Sequence, residues 1–289
     1  MKELANQLII LAKQLEIPLI LRISLETQKD YWRPTREVKK QSAKFLEFTQ
    51  RFETLTTSGM DINKITEIIP TPALILAGNF FFGIGKTRVA QEFYEKAIYL
   101  FNKETAWNNL GVLLHEAKDP IRALNCFEKA INLNTKMIAA WFNQGCVLFD
   151  LRQEKDALDC FEKALNLEPK NAQLWFLAGI TLVKLNKVQK AIKSFQHALE
   201  HRPDFEEALE HLALSFQKTG ALGKSLETYK RILTINLERP DVLAQMGAIY
   251  FKFGLKLQGI SCYMKAADLY EKNGLFEKAQ SCRNKTKKA

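Results

Sequence analysis

One spacing constrains this chain more than anything else in it. Trp107, Trp141 and Trp175 stand 34 residues apart and open similar runs: Trp107-Asn-Asn-Leu110-Gly111, Trp141-Phe-Asn-Gln144-Gly145 and Trp175-Phe-Leu-Ala178-Gly179. Sixteen residues after each Trp comes a small residue (Ala123, Ala157, Ala191). Four further on comes Phe127, Phe161 or Phe195, and then Ala130, Ala164 or Ala198. Pro169 and Pro203 close two of the blocks. A fixed period of this length marks a stack of supersecondary units, because one unit cannot bury its apolar face alone. The register runs on through units starting at Glu206 and Pro240. It runs back to one starting at Thr71, which is one residue short.

These residues resemble the tetratricopeptide-repeat (TPR) family, whose unit carries W-x2-L-G-x2-Y, then A-x3-F, then Pro. The expected fold is all-α: a right-handed TPR superhelix of about six helix-turn-helix units. The units fall at 71–103, 104–137, 138–171, 172–205, 206–239 and 240–273. A helical N-terminal subdomain occupies 1–70, and a capping helix with a basic tail occupies 274–289. Small residues at the eighth and twentieth positions let paired helices approach to about 8–10 Å. Large residues at positions four, seven, eleven and twenty-four fill the space beside that contact.

Two strings imitate catalytic motifs. Gly85-Lys86-Thr87 is the close of a phosphate-binding loop, but the first glycine of GxxxxGK[ST] would fall on Phe80. A bulky side chain fits poorly where backbone amides must wrap a phosphate. Register puts Gly85 at the turn between paired helices, the place of Asn186, Gly220 and Gly254 in later units. His197-Ala-Leu-Glu200-His201 matches H-x-x-E-H. Yet His197 takes the outward place of Lys129 and Lys163, and a third ligand is not identifiable. Cys126, Cys160 and Cys262 recur with the repeat and do not cluster. The reading is therefore non-enzymatic, with no cofactor and no metal.

Composition adds bounds. Hydrophobic residues at 47% and charged residues at 26% exclude a disordered chain. Of the net charge of +10, residues 272–289 hold +5, so the excess sits in a tail and forms no extended phosphate-binding face. The five cysteines form no CxxC pair, so reduced thiols and a cytoplasmic location are expected. Gln7, Lys13, Gln14 and Glu16 break the apolar N-terminus, which falls short of the roughly 20 residues a membrane span needs. Within 1–70, Leu4, Leu8, Leu11, Ala12 and Leu15 share one helical face, as do Val38, Phe45, Phe48, Phe52 and Leu55.

In the TPR family, positions two, five, six, nine and thirteen of the first helix line a concave groove that holds ligands. Carried over by register, the groove comprises Asn79, Asn108, Asn109, Phe142, Asn143, Phe176, Leu177, Ile180, His211 and Gln245. Asn109 and Asn143 are expected to form an amide ladder suited to a peptide backbone. Phe142, Phe176, Leu177 and Ile180 are expected to form an exposed apolar patch, a mark of a binding surface. The alternatives for that patch are cover by the N-terminal segment or a homo-oligomer. The resemblance also allows a test for heat-shock chaperone tails, which the family grips with Lys and Asn, then Asn, then Lys and Arg. Here those places hold Ile75 and Asn79, Asn109, and Ala139 and Asn143. Missing cations disfavour an anionic terminus. The function expected is a protein-protein interaction scaffold, adaptor or assembly factor holding a peptide or helix of another protein. The alternative is a helical-repeat protein for RNA or another anionic partner.

Overall fold

A computed structural model describes residues 71–83 and 85–287. The N-terminal helical subdomain expected over 1–70 lies outside the described residues. The chain divides into two compact units, Met1–Glu168 and Pro169–Ala289. Thirteen α-helices and no strand are present among the described residues.

In the first unit the helices are α1 (Thr71–Gly83), α2 (Thr87–Phe101), α3 (Glu104–Glu116), α4 (Pro120–Leu133), α5 (Ile138–Asp150) and α6 (Glu154–Leu167). They pack as antiparallel pairs α1/α2, α3/α4 and α5/α6, and each first helix also meets the next first helix. The repeat's small residues explain the pairing. Gly145 lies so close to the ring of Phe161 that a Cβ would sit 2.7 Å from Cε1. Gly111 stands likewise against Phe127 and Gly78 against Tyr94. Those rings are fully buried and form the centre of each pair. The tryptophans fasten the preceding connections. Trp107 Nε1 donates to Asn102 Oδ1 at 2.8 Å, and Trp141 Nε1 donates to the Thr135 carbonyl at 2.9 Å. Lys163 lies 4.4 Å over the Trp141 ring, which gives the FEKA lysine a packing role.

The turns within pairs require a left-handed residue. Gly85 supplies it at φ 78°, and the amides of Gly85 and Lys86 bond back to Phe82 and Phe81 of α1. The GKT string is therefore a helix-helix turn. Phe80, where the loop's first glycine would be needed, lies within helix α1. At the same place in the next two pairs stand Lys118 (φ 64°) and Arg152 (φ 61°), residues that adopt this backbone at a cost of about 1–2 kcal/mol.

The second unit contains α7 (Ala172–Lys184), α8 (Val188–His201), α9 (Glu206–Lys218), α10 (Leu222–Ile235), α11 (Pro240–Lys252), α12 (Lys256–Lys272) and α13 (Phe276–Lys287). Asn171 caps α7 by accepting from the amides of Gln173 and Leu174. Arg239 ties α9 to the start of α11, bonding Glu206 at 3.1 Å and both Glu210 and Asp241 at 2.7 Å. Burial works to raise the Asp241 pKa, but the Arg239 guanidinium outweighs it and holds this carboxyl below its ordinary value. Helix α13 closes the unit by seating Ala279 and Cys282 in a cluster with Leu243, Tyr263, Ala266, Ala267 and Tyr270.

Candidate functional site

The stripe opposite the second helices is built from α1, α3 and α5 in the first unit. Its centre is a chain of buried amides. Asn143 Nδ2 donates to Asn108 Oδ1 at 2.9 Å, Asn108 Nδ2 to Asn109 Oδ1 at 3.0 Å, and Asn109 Nδ2 to Asn79 Oδ1 at 2.8 Å. Tyr94 Oη also donates to Asn79 Oδ1, at 2.7 Å. The sequence put Asn109 and Asn143 in one ladder open to a ligand; in the structure both are buried and are linked by an intermediate amide. Asn143 reaches Asn109 through Asn108, and the run continues to Asn79 and Tyr94. Each first helix contributes at register five, six or nine, so neighbouring repeats are stitched together by neutral hydrogen bonds.

The sequence reading placed the Tyr94 ring in the repeat register but missed the part its hydroxyl takes in this run. The available signal was its phenol, standing where Phe127, Phe161 and Phe195 stand in the next units. A buried hydroxyl requires a partner. Burial is the largest cause pushing the Tyr94 pKa well up, and the nearby Glu116 charge adds to it. The ring stays a neutral donor. Cys146, on the same stripe of α5, has its thiol pKa pushed up by burial first and by Asp150 and Cys160 next.

The apolar patch requires correction. Phe142, Phe176, Leu177 and Ile180 are not exposed, with only 7%, 4%, 2% and 4% of their surface accessible. Register puts these side chains on the far stripe, but a phenyl ring is long enough to turn back. Phe142 meets the edge of Phe161 with centroids 6.4 Å apart. In the second unit, Phe176 packs 4.7 Å from Phe205 and 6.1 Å from Phe195. His211, half-buried on α9, completes that aromatic group 5.6 Å from Phe176 and 5.7 Å from Phe195. Gln245 on α11 is exposed. The first unit therefore brings together Asn79, Asn108, Asn109 and Asn143, and the second brings together Phe176 and His211.

Other candidates resolve into structure. His197 Nδ1 bonds Glu200 at 2.9 Å, and its ring lies 4.7 Å from Trp175. Among the described residues no group of three or more His, Cys, Asp or Glu is placed to hold a metal. The basic tail is partly engaged by its own unit. Arg283 pairs with Glu271 and Asp268, Lys278 lies 5.7 Å over Tyr270, and Lys285 lies 5.2 Å over Tyr263. None of the described helices is long and apolar enough to cross a membrane.

Tetratricopeptide-repeat family models match residues 104–136, 138–171 and 160–193. With paired helices repeating at this period, the chain is a tetratricopeptide-repeat protein. Among solved structures it is similar to YrrB, described as a TPR protein with an unusual peptide-binding site. The identity is 25% and the TM-score 0.57, over 65% of this chain and 97% of that one. It is also similar to MamA from Desulfovibrio magneticus RS-1, at 19% identity and a TM-score of 0.54 over 58% and 96% of the two chains. A third is PilF from Pseudomonas aeruginosa, at 17% identity and 0.60 over 73% and 96%. The last two likenesses concern the fold. No curated protein matches the chain by sequence.

Proposed function

We propose that this protein is a non-enzymatic scaffold or adaptor that holds a peptide or helix of another protein along the inner stripe of its first helices. The carrying observation is the run Asn143–Asn108–Asn109–Asn79. Four amides on one stripe are not needed to pair helices, since register positions four, seven, eight and eleven do that. Bonded to one another, they fix the register between neighbouring first helices and so preorganise the stripe along which an extended segment would lie. The similarity to YrrB, a peptide-binding TPR protein by its description, supports the same reading. The engagement of Arg283, Lys278 and Lys285 within the cap weighs against RNA as the ligand, because phosphate binding needs free cations. Five unbridged cysteines fit a cytoplasmic setting.

The test is affinity capture followed by mass spectrometry, with wild type against His211→Ala/Gln245→Arg. Gln245 is exposed and His211 half-buried against Phe176 and Phe195, so a melting curve measured beside each capture establishes that the variant is folded. Loss of a reproducible protein partner supports the groove. Unchanged recovery from the folded variant counts against it.

A further inference from the structure

Within the second unit, α9 packs against both α8 and α10. A groove of about 560 Å³ runs between those two second helices, over Leu212 and Phe216 of α9. Its floor residues stand at register seven and eleven, so it opens on the side away from the inner stripe. The repeat produces such a groove without dictating its lining. In the first unit the corresponding groove between α2 and α4 has the same volume but is lined by Ile98, Tyr99, Leu110, Leu114 and Ile121. The groove of the second unit is charged instead. Lys193 enters it from α8, and Lys224 and Arg231 enter it from α10. Two of these cations are held in place without being neutralised. Lys224 Nζ lies 5.9 Å from the centre of the Phe216 ring, and the Arg231 guanidinium donates to the Pro203 carbonyl. Lys193 is exposed and bonds to no described residue. Among the described residues none of the three has a carboxylate within ion-pair distance, in contrast to Arg239, Lys272 and Arg283. Of the two carboxylates in the lining, Glu200 is taken by His197. Glu227 is left against three positive charges.

We infer that this groove docks an acidic segment of a partner protein, in which carboxylates flank one apolar side chain. Charge complementarity sets the occupant. Covering the three cations with an apolar or basic segment would desolvate them with no counter-charge, whereas carboxylates supply charge-assisted hydrogen bonds. Arg231 keeps guanidinium N–H groups beyond the one that Pro203 engages, and these suit a carboxylate. The apolar side chain covers what Leu212 and Phe216 leave open. Nucleic acid fits less well. Glu200 and Glu227 interrupt the walls against a continuous phosphate backbone, and Lys224 lies over the floor ring where a base would stack. The site lies wholly within the second unit and does not depend on the inner-stripe reading.

Isothermal titration of the full chain with the peptide acetyl-Glu-Glu-Leu-Glu-Glu-amide tests this, beside its uncharged analogue acetyl-Gln-Gln-Leu-Gln-Gln-amide. The acidic peptide is expected to bind saturably and at least about fivefold tighter than the analogue, a comparison that needs no variant. Lys193→Glu is expected to weaken the acidic peptide by about fivefold or more. Lys155→Glu makes the same charge change at an exposed position of α6 in the first unit and is expected to leave the affinity unchanged. A melting curve recorded beside each titration establishes that both variants are folded. Absence of saturable binding, equal affinity for the two peptides, or equal losses in the two variants overturns the inference. Displacement of the acidic peptide by an oligouridine that binds more tightly assigns the groove to nucleic acid and overturns it as well. No inner-stripe residue is altered in these titrations, so their failure leaves the scaffold reading standing.

Discussion

Gly145→Ala sets two effects against each other, and the structure says which prevails. In an isolated helix the change is favourable by about 1 kcal/mol, since alanine is the better helix former. Here the new methyl would stand 2.7, 2.9 and 3.1 Å from Cε1, Cδ1 and Cζ of Phe161. That ring has no accessible surface and abuts Phe142, so it cannot swing aside. Forcing a methyl into such a core costs about 1–3 kcal/mol, and simultaneous contact with three ring atoms belongs at the upper end. Subtracting the propensity gain leaves a net loss of about 2 kcal/mol. Gly223→Ala is the control. Gly223 is helical and exposed, with nothing within 4 Å of a Cβ, so only the propensity gain remains, about 0.5 kcal/mol this close to a helix start. Urea titrations followed by circular dichroism should move the two midpoints in opposite directions. A neutral or stabilising Gly145→Ala would refute the claim that glycine is required there by the approach of Phe161.

Three further outcomes follow from the same geometry. Tyr94→Phe removes a donor from Asn79 Oδ1 and is expected to lower stability by about 1 kcal/mol; an unchanged melting temperature would mean that the ladder does not extend to the second helix. Arg152→Gly relieves a left-handed backbone at φ 61° and is expected to stabilise by about 0.5–1 kcal/mol, less any entropy gained by the unfolded chain; destabilisation in a thermal melt would contradict it. Arg239→Met leaves Glu206, Glu210 and Asp241 without their shared cation, and solvent screening at these part-exposed carboxylates holds the cost to about 1–2 kcal/mol. Because the folded-state pKa of Asp241 lies below its ordinary 3.8, its contribution is complete above that value and is lost as pH falls through the lower folded value. The variant should therefore show a shallower acid limb in a pH series of denaturation curves, and identical limbs would remove Arg239 as the cause.

Periodicity alone determined the pairing of helices here. Small residues at positions eight and twenty called for a close crossing within each pair, with the aromatic at twenty-four beside it; that Phe127 lies directly on Gly111 and Phe161 on Gly145 was decided by the packing. The turn at Gly85 was legible from the period. Lys118 and Arg152 were not, because nothing in their chemistry announces a left-handed backbone that only the neighbouring helices impose. The asparagines could be assigned to one stripe, but not the order of their bonds. That Asn143 chooses Asn108 over Asn109 depends on how far one first helix is offset along the next, and a period carries no offset. The apolar residues show the limit most plainly. Register fixes the direction in which a Cα–Cβ bond leaves the helix, and it put Phe142 and Phe176 on the open stripe. Where the rings came to rest was decided by tertiary packing, because burying a phenyl ring against Phe161 or Phe205 is worth more than the direction of one bond.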